Sequence, residues 1–295
     1  MSAKAQIPEA LKADLPPNKW GKILSITPVV MTVIATLLAG LSSGEMIRAQ
    51  YDRSLAAQQQ SKAGDQWGYF QAKRLRAAMQ RSTLDGIRAT AKVYPLDAAR
   101  FEPASASPQA LDSLANGTLP ATEPQPALAE PIAAALSAVE TGQSDEAVSK
   151  LLKSVKKADL ASALAAASAH VRAFDAALKP VTSDIDALEK HISPVIQPSF
   201  IAARLAYAAQ RYDLESRQNQ VIAQLLELQV RESNTSAERH HIRSSYFFYG
   251  MLAAQLAVII STLSMAVQKR NALWAIAAAA GTFAFAVATY VYLFG

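Results

Sequence analysis

The chain has 295 residues, of which 51% are hydrophobic, and it carries a formal net charge of +5 with a pI near 9.3. It contains no cysteine, which excludes disulfides, thiolate metal sites and cysteine nucleophiles. The positive charge is not accompanied by an aromatic and basic recognition module, so we expect no nucleic-acid partner and attribute the charge to anionic lipid headgroups.

Three blocks of the sequence contain no charged residue, and each exceeds the roughly 20 residues that cross about 30 Å of hydrocarbon. The blocks lack the polar face that a helix in a soluble core usually shows. We therefore predict an all-α integral membrane protein whose partners include the lipid bilayer. The three transmembrane helices are predicted at 22–43, 247–267 and 272–294, and a polar tail, 1–21, precedes the first of them as part of an uncleaved anchor.

Glycines mark two places near the start of the chain where helices can lie close together. Gly40 and Gly44, four residues apart, predict close helix packing in the membrane, with the alternative that they only end the first span. Residues 45–93 are rich in good helix formers and predict one long helix, here called stalk helix A. Within it, Gly64 and Gly68 predict a second strip of close approach, or else a bend.

The most varied stretch of stalk helix A runs from residue 62 to residue 73 and contains three aromatic residues. Trp67 and Phe70 share one face of the helix with Ala63, whereas Asp65 and Tyr69 share another. Two interpretations stay open: a packing layer between two helices of this chain, or a docking patch for another protein. The residues predicted to take part are Asp65, Gln66, Trp67, Tyr69, Phe70, Gln71 and Lys73.

The middle of the chain changes character twice. Half of the 14 prolines fall within 94–131, which predicts a Pro-rich linker. Residues 132–198 predict inserted helices, one of which should end at Pro180. Residues 199–246 predict a second long helix, stalk helix B, with a heptad seam at Leu214, Gln218, Val221, Leu225 and Leu228. We expect the two stalk helices to pair antiparallel and to carry the inserted segment.

The stretch Asp65-Gln66-Trp67-Gly68-Tyr69-Phe70-Gln71-Ala72-Lys73 resembles a bacterial membrane-protein family known as domain of unknown function 4337. Members of that family are similar in order: a span, this helix, a second helix with a histidine near the membrane, and a hairpin of two spans around basic residues. His240 or His241 and the pair Lys269-Arg270 fit that order. The resemblance covers roughly 20–93 and 200–293, so 94–199 is expected to be an insertion. It implies a topology and no activity.

No motif for catalysis or for cofactor binding occurs, so we predict no enzyme activity and no cofactor. His240 and His241 point about 100° apart on a helix and are expected to be membrane-edge side chains rather than metal ligands with Glu238. Apart from Lys22 at the edge of the first span, the spans contain no Asp, Glu, Lys, Arg or His. Gln255 is the strongly polar residue in the second span, and we predict that it makes a polar contact between spans.

We expect the protein to be a membrane-anchored scaffold or accessory subunit that forms a homo-oligomer or docks on a larger membrane complex. The alternative is an oligomeric channel or transport component with Gln255, Ser261, Thr262 and Ser264 along a pore. The charges of the hairpin predict that the N-terminus and the 268–271 turn are cytoplasmic. The 45–245 region and the C-terminus would then lie outside the inner (cytoplasmic) membrane of a bacterium.

Overall fold

The structure is a computed structural model that describes residues 19–96, 107–266 and 270–294. The predicted tail, apart from its last three residues, and the first half of the predicted 268–271 turn lie outside these ranges, whereas residues 270 and 271 begin a helix. Within them the chain forms helices and no strand, which confirms the all-α prediction. The helices are α1 (Lys19–Thr90), α2 (Pro108–Asn116), α3 (Glu130–Glu140), α4 (Asp145–Leu152), α5 (Lys157–Leu188), α6 (Gln197–Ala266) and α7 (Arg270–Phe294), and a one-turn 3₁₀ helix (Glu189–His191) follows α5.

Three of these helices are long and apolar enough to cross a membrane, as predicted. The apolar segments lie within Ser25–Thr90 of α1, Gln197–Ser264 of α6 and Ala272–Val291 of α7, with mean hydropathies of 1.8, 1.7 and 1.8. The chain divides into two compact units. Unit 1 comprises Met1–Ser54 and Ser233–Gly295, and unit 2 comprises Leu55–Glu232, so α1 and α6 contribute to both.

Unit 1 is held together by small side chains between α1, α6 and α7. Its buried core consists of Ala35, Leu38, Phe247, Ala254, Ala284 and Val291. The hydroxyl of Ser42 donates to the carbonyl of Ser244 at 2.9 Å, and the hydroxyl of Ser244 donates to the carbonyl of Ser42 at 2.8 Å. This reciprocal pair satisfies both hydroxyls and fixes the register of α1 against α6.

The close helix approaches in unit 1 occur at glycines other than the predicted ones. A Cβ added to Gly281 would lie 2.8 Å from the sulfur of Met31, and one added to Gly250 would lie 3.2 Å from Cδ1 of Leu38. In contrast, a Cβ at each of the four predicted glycines would meet no atom within 4 Å; these are Gly40, Gly44, Gly64 and Gly68. They lie on the exposed side of α1, so within a single chain they mediate no close approach.

Unit 2 has α6 at its centre, with α1 on one side and α3 to α5 against its apolar residues. Pairs between α1 and α6 run in opposite directions along the two helices: Gln59 bonds Gln229, Lys73 bonds Glu215 and Arg81 pairs with Asp213. The two helices are therefore antiparallel here. Apolar residues of α6 form one buried cluster with residues of α3, α4 and α5, including Ile132, Val148, Leu160, Leu225 and Leu228.

The segment predicted as a linker, 94–131, contains helix α2 and the first residues of α3. The side chain of Ser107 caps α2 by accepting a hydrogen bond from the backbone N–H of Ala110 at 3.3 Å. Pro108 occupies the first turn, where a missing N–H has no cost, and Gly117 ends the helix with a φ of 67°. The linker prediction is wrong for this part because a proline in the first turn of a helix is compatible with that helix and does not mark a loop.

Helix α5 continues through Pro180 to Leu188, so the predicted end at Pro180 was also wrong. The residues that follow the proline keep the helical spacing of buried apolar side chains: Val181, Ile185 and Leu188 all lie in the second buried cluster of unit 2. A proline inside a helix costs about 3 kcal/mol, and we attribute the continuation to this burial, which offsets the cost.

Candidate interaction site

The inner side of α1 is formed by small residues that recur every seven positions. Ala49 is buried in unit 1, and Ala56, Ala63, Ala77 and Leu84 are buried in unit 2. Half-buried Phe70 takes the one remaining place in the series. A repeat of seven keeps one face of a helix against a partner helix, and alanine allows the two axes to approach to about 8 Å.

Helix α6 carries a matching series of small buried residues. In unit 2 these are Ala202, Ala209, Ser216, Ala223 and Val230, and in unit 1 they continue with Ala237 and Ser244. We call the α1 series and the α6 series together the alanine seam. The predicted heptad seam used the leucines of α6, which pack toward α3 to α5. The alanine repeat was present in the sequence at a fixed interval of seven and is the signal that would have found the α1 contact.

Polar side chains flank the alanine seam on α1. Gln59 Nε2 donates to Gln229 Oε1 at 3.3 Å. Two helical turns further along α1, Gln66 is half-buried, and its Oε1 is buried without a hydrogen-bond partner among the described residues. Lys73 and Gln80 continue the series at the same spacing and are also half-buried. The pairing of α1 with α6 therefore combines a small apolar seam with a row of polar contacts.

Trp67 contacts α6 of the same chain. Its Nε1 donates to Glu227 Oε1 at 2.7 Å, and its ring meets that of Phe70 edge to face with centroids 5.4 Å apart. Both aromatic side chains are half-buried. The indole thus has an apolar contact on one side and a charged acceptor at its N–H, an arrangement that satisfies the donor of a partly buried tryptophan. Within this chain, the partner that Trp67 faces is α6.

The charged centre of unit 2 is Glu215, which is almost fully buried. Its carboxylate accepts hydrogen bonds from the ammonium of Lys73 and, at 2.7 Å, from Nε of Arg211. Nη1 of Arg211 also donates to the hydroxyl of Thr182 at 3.2 Å, which connects the centre to α5. Lys73 and Arg211 both lie near the ring of Tyr212, 5.3 and 5.1 Å from its centroid. A buried carboxylate with two cationic partners is satisfied on both oxygens.

The surroundings of Glu215 shift the pKa values of neighbouring groups. Burial raises the pKa of the Asp175 carboxyl, and the negative charge of Glu215 raises it further, against the opposing charges of Lys73 and Arg211. Burial also raises the pKa of the Tyr207 hydroxyl. For Arg211, burial acts to lower the pKa, but the hydrogen bond and charge of Glu215 outweigh burial and raise it. All three shifts follow from burial and from the charges around Glu215.

The structure places the predicted residues of the 65–73 stretch on two sides of α1. Gln66, Trp67, Phe70 and Lys73 lie on the inner side with α6. Asp65, Tyr69 and Gln71 are exposed. Further exposed apolar residues follow Tyr69 along the outer side of α1; Tyr69, Leu75 and Met79 are 58%, 62% and 58% exposed.

Residues 20–113 match one protein-family model, described as Domain of unknown function (DUF4337). The resemblance drawn from the 65–73 stretch is thereby confirmed. Comparison with curated proteins and comparison with solved structures each found no match. The DUF4337 match spans nearly all of α1 and most of α2. It does not reach 200–293, where the resemblance remains a prediction.

In unit 1 one member of the predicted histidine pair, His240, contacts α1. Nδ1 of His240 lies 2.5 Å from Oε2 of Glu45, whose other oxygen accepts a hydrogen bond from Arg48 at 3.0 Å. Glu238 pairs with Arg53 at 3.8 Å and not with a histidine. No group of three metal-binding side chains occurs in the described ranges. His240 therefore links α6 to α1 through Glu45. Glu45 lies within the DUF4337 match.

Gln255 lies on the exposed surface of unit 1 and lines a cavity of about 460 Å³ between α1 and α6. Its neighbours in that cavity include Thr32 and Thr36, whose hydroxyls donate to carbonyls of their own helix at 2.8 and 2.9 Å. Ser261 and Ser264 are buried and also bond to their own helix, and Thr262 is exposed with the same kind of bond. Of the four residues predicted to line a pore in an oligomeric channel, Gln255 alone has no hydrogen bond to any described residue.

Proposed function

We propose that the protein is an integral membrane scaffold or accessory subunit that self-associates or docks on a larger membrane complex. The observation that carries this proposal is the large apolar surface of its helices. On α1 in unit 1, Val29 and Leu37 are each 63% exposed and Val33 is 55% exposed. An apolar surface of this extent is stable in hydrocarbon and not in water, so it supports insertion of α1, α6 and α7 into a bilayer.

The polar groups of unit 2 support a structural role. Glu215, Lys73 and Arg211 bond to one another, and Trp67 bonds to Glu227. These contacts hold α1, α5 and α6 together, so the charged side chains at this centre are used in packing the helices. The exposed outer side of α1, with Tyr69, Leu75 and Met79, is a surface on which another helix can dock.

The proposed location is the cytoplasmic membrane of a bacterium, with the tail and the 268–271 turn in the cytoplasm. Lys269 and Arg270 lie in a very short connection between two spans, and basic residues in short loops favour the cytoplasmic side. Protease treatment of sealed inverted vesicles tests this orientation. We expect the 94–131 segment to be protected, and cleavage there would reverse the assignment.

Mild extraction in native lipid, followed by mass determination of the intact assembly, tests the scaffold function. We expect a mass that corresponds to several copies or to this chain with a second protein. A lone monomer under these conditions contradicts the proposal. Extraction in a harsh detergent serves as the control, since it should release a monomer from any assembly held by helix contacts.

The second candidate function is an oligomeric channel or transport component, which the three polar residues in the groove, Gln255, Thr32 and Thr36, favour. In an oligomer, several such grooves around an axis would place amides and hydroxyls along a path. Flux of ions and small solutes into vesicles that contain the purified protein tests this candidate. Vesicles that stay as tight as empty ones exclude it.

A further inference from the structure

The side chain of Gln255 is unsatisfied in the single chain. It lies on the exposed side of α6 within the apolar span, and none of the described residues forms a hydrogen bond with it. The nearest hydroxyls in its groove, those of Thr32 and Thr36, already donate to backbone carbonyls. Lipid tails offer no donor or acceptor, so a primary amide at this position strongly favours a protein partner.

The groove beside Gln255 has the shape for a second helix. Its floor includes Ala35 and Ala39, and its α6 side includes Val258 and Ile259. Along α1, small exposed residues continue this face at intervals of four: Thr32, Thr36, Gly40 and Gly44. A Cβ at either glycine would meet nothing within 4 Å, so the space next to them is open in the single chain. Small residues four apart are the usual contact surface between helices in lipid.

We infer that this groove binds the same span of a second copy of the chain, with the two Gln255 amides hydrogen-bonded to each other. A primary amide has both a donor and an acceptor, so two of them satisfy each other reciprocally. In a two-fold dimer, residues close to the axis lie next to their own counterparts, so a Gln255 near the axis meets the Gln255 of the second copy, which an unrelated helix does not provide. The α1 and α6 segments around the groove carry no charge, so two copies meet without repulsion.

This inference rests on the proposed self-association and names the surface that carries it. The exposed residues around Gln255 on α6 are apolar: Leu252, Leu256 and Ile259. In a dimer they would surround the amide pair and keep water and headgroups away from it. An amide pair shielded in this way is stronger than one at the membrane surface.

Disulfide cross-linking in membranes tests the inference directly, because the chain contains no native cysteine. Ile259→Cys introduces a single thiol about one helical turn from Gln255, on the same side of α6. We expect oxidation to give a covalent dimer. Phe283→Cys on α7, also exposed, is the matched control and should give little dimer. Equal yields from the two variants would overturn the inference.

Substitution of the amide separates this surface from other modes of assembly. Gln255→Leu makes the span more apolar and should insert and fold normally. We expect it to weaken dimerisation in lipid vesicles about three- to thirty-fold, measured by energy transfer between labelled copies, and Gln255→Asn to retain part of the affinity. Gly40→Leu should also weaken the dimer, because it fills the open space beside the groove. Gly86→Leu, at an equally open glycine of unit 2, is its control.

The outcomes distinguish the inference from the proposed function. If Gln255→Leu and Gly40→Leu dimerise as the wild-type chain does, the groove is not the contact, whereas a scaffold that assembles elsewhere still stands. If the wild-type chain binds a different protein and no second copy, the inference is also overturned. If the wild-type chain is a monomer with nothing bound, both the inference and the proposed function fail.

Discussion

The segments of α1 in the two units have inner sides of the same kind, formed by small residues, but their outer sides differ in polarity. In unit 1 the inner side includes Ala35 and Ala49, and in unit 2 it includes Ala63 and Ala77, all buried. The outer side in unit 1 is formed by Val29, Val33 and Leu37, and in unit 2 it is interrupted by charged residues such as Arg74, Arg76 and Arg81. Small residues every seven positions therefore determine which helix α1 pairs with. The residues of its outer side determine whether that segment is suited to lipid or to water.

The two units also differ in what supports α6. In unit 1 its neighbours are two further helices, and the polar contacts include the reciprocal serine pair. In unit 2 it has an apolar side against α3 to α5, and toward α1 it has the alanine seam flanked by charged and polar contacts, here called the polar side. Because apolar burial is not offset by desolvation of charge, we expect the α3 to α5 side to contribute more to the stability of unit 2.

The largest expected effect comes from the apolar side of α6. Leu225 is fully buried in the cluster with Ile132 and Leu160, so Leu225→Ala should lower the free energy of unfolding by about 3–4 kcal/mol. Urea unfolding of the full chain in detergent micelles, followed by circular dichroism, measures this change. Leu75→Ala removes an exposed leucine and should change the stability by less than about 0.5 kcal/mol. Equal shifts would contradict the assigned burial.

The next effect comes from the polar side. Glu215→Gln leaves the charges of Lys73 and Arg211 without their counterion in a largely buried place, and we expect a loss of about 3 kcal/mol. The same urea experiment measures it. Glu238→Gln removes an exposed carboxylate whose ion pair with Arg53 is long, and should cost less than about 0.5 kcal/mol. If Glu215→Gln were as mild, the polar side would be solvated rather than buried.

A smaller effect is expected where Trp67 meets α6. Trp67→Phe keeps an aromatic ring but removes the hydrogen bond to Glu227, which should cost about 1.5 kcal/mol. Tyr69→Phe, on the exposed side of α1, is the matched control and should be neutral. If Trp67→Phe leaves stability unchanged and instead releases a bound protein from extracts in native lipid, the residue contacts a partner chain rather than α6.

The parts of the fold that follow from local sequence rules could be predicted. The three apolar helices follow from the absence of charge over more than 20 residues, and the two long helices follow from their content of good helix formers. The heptad of α6 does not identify the contact with α1, because its leucines pack toward α3 to α5. The predictions of helix ends are wrong where tertiary contacts determine the end of a helix. Pro180 lies inside α5 because Val181 and Ile185 are buried, and no local rule on proline includes that contribution.

The candidate site was predicted only in part, for a related reason. The 65–73 stretch is identifiable from its unusual aromatic and charged composition, and its inner residues Trp67 and Lys73 contact α6. The glycines were expected at close contacts, but in the single chain the contacts are made by alanines, with Gly250 and Gly281 in unit 1. Glycine spacing alone does not tell which side of a helix meets its partner, whereas a seven-residue repeat of alanine does.

The smallest predicted effect is a dependence of stability on pH. It tests how far the charged groups around Glu215 in unit 2 are shielded from water. The pKa of Asp175 is raised in the folded chain, first by burial and then by the charge of Glu215. A carboxyl whose pKa is raised on folding binds its proton more tightly in the folded state, so stability falls as the pH rises from the ordinary value near 3.8 through the raised one. Above that window the ionised carboxylate destabilises the fold.

Asp175→Asn removes this penalty, so it should stabilise the chain at pH 7 and not below the ordinary pKa of aspartate. The gain should stay below about 0.5 kcal/mol, since burial of Asp175 is only partial, its surface remains accessible to water, and solvent screens its charge. Urea midpoints of the variant and the wild-type chain at several pH values measure it, with Asp65→Asn as the control for loss of one negative charge. A gain in stability that is independent of pH would mean that the new amide stabilises the fold, and not the removal of the ionised carboxylate. The charge of Glu215 would then be too well neutralised by Lys73 and Arg211 to raise the pKa of Asp175.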